Sequence, residues 1–300
     1  MPDISPKPLR IAIVGAGQIG SAFAFQLARV GCHDISVVAR PDSARLQQLQ
    51  RDGGIIDVNG ERAQVAIADT FDETVPYDLV IVTLLAHQSD ELLPNLRRSV
   101  ANCILFMGNT FHPEKLQASV GVERCAFGMP FLQSKLNPEG RLKITIGAGG
   151  QRTIIDQQRW VSVFNLAGLP AAVEPNMPLW LRCHVPLCVA FESVSVAGMK
   201  RGGGASWREA LTLARGMHSS FKLIQALGYS LYPRAKKRIA GSPAVAIAAV
   251  LWSVSRIRSF RELLATGKAE CCALIDHLVA AAPLTKTPVD VSDIQAMRPS

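Results

Sequence analysis

The 300-residue chain lacks several features that would narrow its function at once. Its seven cysteines (32, 103, 125, 183, 188, 271, 272) form no C-x-x-C pair and no secreted disulfide spacing. Most sit among apolar neighbours, which predicts small buried thiols in a reducing, cytoplasmic compartment. The six histidines (33, 87, 112, 184, 218, 277) show no ligand spacing, so no metal site is expected. No serine stands in a G-x-S-x-G elbow, which argues against acyl transfer. The longest apolar run, Ala244–Val254, is too short to cross a bilayer and reads as a fully buried helix, within its domain or at a subunit interface. The opening MPDISPKPLR has no basic-then-apolar pattern, so no secretory leader is expected. Aromatic residues make up only 6 %, and Trp160, Trp180, Trp207 and Trp252 read as core anchors rather than a stacking platform.

What is present is the composition of a globular protein, 48 % apolar and 19 % charged, long enough for one large domain or two ordinary ones. The formal charge of +8 is uneven: residues 1–170 carry 16 basic and 16 acidic side chains, residues 171–300 carry 16 and 8. The one dense basic run, Arg234 to Arg238, has few aromatics beside it and fits no binding motif, so nucleic acid is not expected as a partner. Such a field suits an anionic cofactor and an acidic substrate; a merely solvated basic face is the alternative.

Residues 9–14 (LRIAIV) read as a buried strand, and 21–30 as an amphipathic helix with Phe23, Ala24, Leu27 and Val30 on one face. Further apolar strands are expected at 35–39, 78–84, 103–107, 125–129 and 141–147, with a hairpin over 54–65 turning at Asn59-Gly60 and a helix near 156–165. Strands alternating with helices predict a parallel sheet covered on both faces. Prolines crowd near 168–178, after which long helical patterns take over. The expected layout is a nucleotide-binding domain over 1–170 and an all-helical domain over 171–300. The tail from Pro283 shows little periodicity and is expected to be loosely held.

Between the first strand and its helix stands Gly15-Ala16-Gly17-Gln18-Ile19-Gly20. G-x-G-x-x-G alone is a weak signal, but its strand–turn–helix setting is what a dinucleotide needs. Gly15 makes the tight turn, Gly17 admits the pyrophosphate, and Gly20 lets helix and sheet pack closely. The phosphates then meet the unpaired N–H groups at the helix start. The second strand ends at Arg40, where an NAD site carries a carboxylate for the ribose. An arginine suits the 2′-phosphate, so NADP(H) is the expected cofactor.

With these pieces the chain resembles the 2-dehydropantoate 2-reductases (ketopantoate reductases) over nearly its whole length. The matching segments are IAIVGAGQIG (11–20), VVARP (37–41), DLVIVTLLAHQ (78–88), ILFMGN (104–109), the helix start at Trp180, and SFRELLATGKAE (259–270). The resemblance implies a Rossmann-type parallel-sheet α/β domain followed by an all-α C-terminal domain, like 6-phosphogluconate dehydrogenase, with a possible homodimer through the helical domain. It also implies hydride transfer from NADPH to the carbonyl carbon of a small acidic 2-oxo substrate in an interdomain cleft, with no membrane partner. The candidate catalytic residues are Arg182, Asn109, Ser259 and Glu270; Asn109 also counts as a cofactor contact beside Gly15–Gly20 and Arg40. Ser259 and Glu270 match the family's substrate side, though Glu270 alone fits an ordinary helix-start acid and Asn109 a turn former.

The family pattern breaks at the proton donor. Arg182 stands where a lysine is expected, Pro186 and Ala190 stand where asparagines hold substrate, and Leu85 replaces a cofactor-contacting lysine. His184 is the one nearby group that titrates near neutrality, as a substitute donor or a packed histidine. Three functions stay open: a ketopantoate-type reductase, a reductase of another carbonyl, and an NADP(H)-binding protein with little or no catalysis.

Overall fold

The computed structural model describes Lys7–Pro299, apart from the side chains of Ala86, His87, Ala148 and Thr266. The first six residues, read above for a leader, lie outside that range. The chain divides into two compact units. One holds the residues up to Gly108 together with Glu114–Met177; the other holds Asn109–Pro113 and the chain from Pro178 onward.

The first unit begins β1 (Arg10–Val14), α1 (Gln18–Arg29), β2 (Asp34–Val38), α2 (Ala44–Asp52), then the hairpin β3 (Ile55–Ile56) and β4 (Arg62–Ala63). It continues with β5 (Ala66–Ala68), β6 (Leu79–Val82), α3 (Ala86–Arg98), β7 (Ile104–Met107), α4 (Pro113–Val120) and β8 (Cys125–Met129). A second hairpin, β9 (Gln133–Leu136) and β10 (Leu142–Thr145), precedes β11 (Thr153–Ile155), α5 (Gln158–Leu166) and β12 (Ala171–Val173).

Eight strands form one sheet in the order β12-β11-β8-β7-β6-β1-β2-β5. From β5 to β8 every neighbour is parallel, but β11 runs antiparallel to β8. The sheet is therefore mixed rather than parallel throughout. The physical reason is the connection: a parallel return needs a crossover, and after β8 the chain makes the β9–β10 hairpin instead. Strands β6, β7 and β8 are buried along their whole length, and β1 beyond its first residue, so both faces select apolar side chains. On one face Phe23 of α1 meets Phe164 of α5 edge to face at 5.1 Å. β1 lies between β2 and β6, so the strand order reverses at its C-terminal end. That reversal is the switch point at which doubly wound sheets bind ligands.

The second unit is helical: α6 (Met177–Arg182), α7 (Val185–Lys200), α8 (Trp207–Ala226), α9 (Arg234–Ala240), α10 (Ala244–Val254), α11 (Arg258–Leu264), α12 (Lys268–Ala281) and α13 (Ser292–Gln295). α8 starts on a capping box, with Ser206 Oγ accepting from Glu209 N at 3.2 Å and Glu209 Oε2 accepting from Ser206 N at 2.7 Å. The 24 residues Met177–Lys200, which span α6 and α7, also contain an 18-residue apolar stretch, 72 % of it buried, as expected of core helices.

Three sequence expectations need correction here. α10 buries only Ile247, Ala248 and Leu251, while Val245 and Val250 are more than half exposed, because the unit covers one face of the helix. Trp207 is exposed as well and stands edge-on to Trp252. The tail is held rather than loose: Ile294 and Met297 are buried, and α13 lies on α8 where Gly216 has no side chain. A Cβ at Gly216 would fall 2.2 Å from Met297 Cγ and 2.5 Å from the Asp293 carbonyl oxygen.

Candidate functional site

The glycine turn leaves β1 at the switch point. Gly15 adopts φ +109°, a conformation that disfavours a side chain, and its N–H donates to the Val38 carbonyl at 3.0 Å. Thr83, just beyond β6, donates from Oγ1 to the Gly15 carbonyl at 2.9 Å. Gly20 has no room: a Cβ there would lie 1.9 Å from that carbonyl oxygen. Gly17 is the opposite case, with no heavy atom within 4 Å of where its Cβ would be. Gly17 also caps α1 without a side-chain hydrogen bond to the helix N–H groups. Open space over uncapped N–H groups is a cradle that fits a pyrophosphate.

Arg45 of α2 braces this turn, a role the sequence reading missed. Its Nε donates to the Ala16 carbonyl at 3.1 Å, Nη2 to Ser21 Oγ at 2.7 Å, and Nη1 to the Gly140 carbonyl at 3.1 Å. Burial pushes its guanidinium down to about 10, still charged at neutral pH. From the β9–β10 hairpin, Ser134 Oγ donates to the Gln18 carbonyl at 2.8 Å. Arg40, by contrast, is exposed just past the end of β2, the strand paired with β1.

In the second unit, Asn109 meets the first turn of α12. Its Nδ2 donates to Glu270 Oε1 at 3.1 Å and to Cys188 Sγ at 3.1 Å. Its Oδ1 is buried and has no hydrogen-bond partner among the described residues. Cys188 and Glu192 lie four residues apart on α7 and so share a face. Cys188 Sγ donates to Glu192 Oε1 at 3.2 Å, and Cys271 Sγ donates to Glu192 Oε2 at 3.0 Å. Burial, and then the Glu270 charge, push the Glu192 carboxyl up to about 7. Neither cysteine, nor Glu192, was singled out from the sequence as functional. A lone carboxylate inside an otherwise apolar helix was the available signal, since burying one is costly. Among the described residues no group of three or more side chains could hold a metal ion.

Arg182 ends α6 and is buried, its guanidinium 3.9 Å from the Tyr229 ring centroid and 5.8 Å from that of Phe111. Phe111 belongs to the same core and follows Asn109 by two residues. His184 stacks on Trp180 at 4.5 Å; burial, and then the Lys236 charge, push it down to about 3. It is therefore neutral and packed rather than a substitute acid. Lys236, from the basic run, is buried too, with Nζ donating to the Trp180 carbonyl at 2.7 Å. Pro186 sits at the start of α7, where its missing N–H costs nothing, and Ala190 is fully buried. The structure thus brings Asn109 and Glu270 together, while Ser259 is exposed on the first turn of α11.

Residues 11–157 match the family described as ketopantoate reductase PanE/ApbA. Among solved structures, the chain is similar to a 2-dehydropantoate 2-reductase from Porphyromonas gingivalis W83, at 15 % identity, TM-score 0.66, over 97 % of this chain and 98 % of that one. A PanE/ApbA family ketopantoate reductase from Ralstonia eutropha JMP134 gives 19 % identity and TM-score 0.65, over 96 % and 95 % of the two chains. A D-mandelate dehydrogenase in complex with NADH gives 14 % identity and TM-score 0.70, over 96 % of each. These likenesses carry the two-part fold. Comparison with curated proteins gives no match.

Proposed function

Because the chain is homologous over residues 11–157 to the PanE/ApbA ketopantoate reductase family, we propose that it is an NADPH-dependent reductase of a small acidic 2-oxo compound. The homology carries the coarser statement, an NAD(P)H-dependent reductase superfamily that takes in ketopantoate reductase-like and mandelate dehydrogenase-like proteins. The observation that carries the reading further is the Asn109–Glu270 hydrogen bond beside the unpartnered Asn109 Oδ1.

In this reading Gly15, Ala16, Gly17, Gln18, Ile19 and Gly20 hold the pyrophosphate, and Arg40 grips the 2′-phosphate with its guanidinium fork. When bound, the reduced nicotinamide supplies hydride to the substrate carbonyl carbon. Asn109 Oδ1 accepts from the cofactor carboxamide or a substrate hydroxyl. A guanidinium is a planar donor of hydrogen bonds rather than a general acid, so Arg182 binds the substrate carboxylate or polarises the carbonyl and leaves the proton to another source. Tyr229 and Phe111 fix its plane. Glu270 contributes to substrate binding and catalysis, and the carbonyl oxygen takes its proton from water or another residue. The protein works in the cytoplasm, where NADPH is supplied reduced.

The test is NADPH oxidation against a panel of 2-oxo acids, with neutral ketones and aldehydes as controls. Turnover confined to acidic 2-oxo compounds is expected. NADPH binding without oxidation by any carbonyl would leave a cofactor-binding protein instead.

A further inference from the structure

We propose that Arg45 is the counter-charge of the cofactor's pyrophosphate, a positioning residue that acts from behind the glycine turn through the turn's own peptide groups. This role rests on the cofactor-binding reading above and goes beyond it, since no part of that reading needs a charge beneath the turn.

From Val14 to Gln18 every backbone carbonyl is held by a donor of the protein. Thr83 N donates to the Val14 carbonyl at 2.9 Å, and Thr83 Oγ1 to that of Gly15 at 2.9 Å. Ser21 N donates to the Gly17 carbonyl at 2.9 Å, and Ser134 Oγ to that of Gln18 at 2.8 Å. The Ala16 carbonyl accepts from Ser21 Oγ at 3.0 Å and from Arg45 Nε at 3.1 Å, the one charged donor in the set. A trans peptide points its C=O and N–H in opposite directions, so with the oxygens drawn inward the turn presents its N–H groups. Burial agrees: Ala16 is buried, while Gly17 and Gln18 are exposed. The Ala16 C=O and the Gly17 N–H belong to one peptide, so a charge-assisted bond to the oxygen makes that N–H a stronger donor to an anion.

The guanidinium brings this charge without a counter-ion of its own. Among the described residues no carboxylate forms an ion pair with Arg45. The acid that acts on it, Asp52, is reached only through Gln48: Arg45 Nη1 donates to Gln48 Oε1, and Gln48 Nε2 donates to Asp52 Oδ2 at 2.6 Å. Asp52 is shared besides with Arg51 at 3.3 Å and Arg141 at 3.6 Å. The other acceptors, Ser21 Oγ at 2.7 Å and the Gly140 carbonyl at 3.1 Å, are neutral. Gly140 reaches that position at φ +77°, where a Cβ would fall 2.6 Å from Gln48 Oε1. A half-buried cation held by neutral acceptors gains most when an anion settles beside it, and a pyrophosphate on the turn is that anion.

The substitution Arg45→Met keeps much of the side chain's length and removes its charge, whereas Arg45→Lys keeps the charge but cannot span three acceptors. NADPH binding to the full chain, followed by nicotinamide fluorescence, should weaken about tenfold or more in Arg45→Met and by clearly less in Arg45→Lys. In nitrogen-15 spectra of the cofactor-free protein, the Gly17 N–H resonance should move upfield in Arg45→Met and stay nearer its wild-type position in Arg45→Lys. Loosened packing alone would not follow the charge in this way. If Arg45→Met does not fold, Arg45→Gln, which loses the charge but can still donate an N–H, carries the same two expectations. NADPH affinity within about twofold of wild type in the neutral variant would overturn the role, and so would equal losses in the neutral variant and Arg45→Lys. A wild type that binds neither NADPH nor NADH would overturn the cofactor reading and this role with it. Charge-dependent NADPH binding by a protein that reduces no carbonyl would keep the role of Arg45 and remove the reductase.

Discussion

Gly17 and Gly20, three residues apart, should fail in opposite ways when each becomes alanine. At Gly20 the new methyl would sit 1.9 Å from the Gly15 carbonyl oxygen and 2.7 Å from Thr83 Oγ1. A normal carbon–oxygen approach is about 3.3 Å, so α1 must retreat from the turn by more than about 1 Å. Overpacking of that kind costs about 3 kcal/mol, against a gain of about 1 kcal/mol from replacing glycine within a helix. Gly20→Ala should therefore be destabilised by about 2 kcal/mol. At Gly17 nothing lies within 4 Å and the backbone is extended at φ −69°, so Gly17→Ala should change stability by less than about 1 kcal/mol. Its methyl would occupy the phosphate cradle instead, and NADPH should bind about 100-fold more weakly, about 2.7 kcal/mol. Thermal unfolding and NADPH fluorescence titration read the two effects separately. Wild-type affinity in Gly17→Ala would refute the placement of the pyrophosphate on this turn, and wild-type melting in Gly20→Ala would refute the close packing of α1 against it.

Three further outcomes are expected. Wild type should bind NADPH at least about tenfold tighter than NADH, and Arg40→Ala should erase most of the difference; equal dissociation constants in wild type would exclude Arg40 as the 2′-phosphate reader. Burial pushes the Asp156 carboxyl up from its ordinary 3.8 to about 6, so its contribution to stability is complete below the lower value and is lost as pH rises through the upper one. Asp156→Asn should therefore gain on wild type by up to about 3 kcal/mol between acid and neutral pH, and a pH-independent difference in urea unfolding would contradict this. Met297→Ala should cost about 2–5 kcal/mol by opening a cavity over Gly216, whereas a loss below about 1 kcal/mol would show that the tail is not part of the core.

The strands that line the switch point were legible because burial on both faces leaves an unbroken apolar run, as in LVIV at 79–82. The glycine spacing was legible because each position answers a separate steric demand. Short strands at or near the sheet edge were not: Ala66–Ala68 and Ala171–Val173 are three residues each and bury little, so no periodicity develops. The tail was misread because Ile294 and Met297 are isolated apolar residues, and only Gly216, about 80 residues earlier, explains why they are buried. In the candidate site, Asn109 and Glu270 stood out through resemblance, but nothing local to either predicts that they touch across 161 positions. Glu192 was hidden differently, since Cys188 lies one turn back on its own helix but Cys271 comes from α12, 79 positions away.

Hydride transfer itself is the most direct test of the proposed function. NADPH deuterated at the nicotinamide C4 is incubated with the protein and an accepted 2-oxo acid, and the 2-hydroxy acid is examined by mass spectrometry. One deuterium on C2 of the product, with formation strongly slowed in Glu270→Gln, is the predicted result. A product without deuterium, or no product while NADPH remains bound, would contradict it.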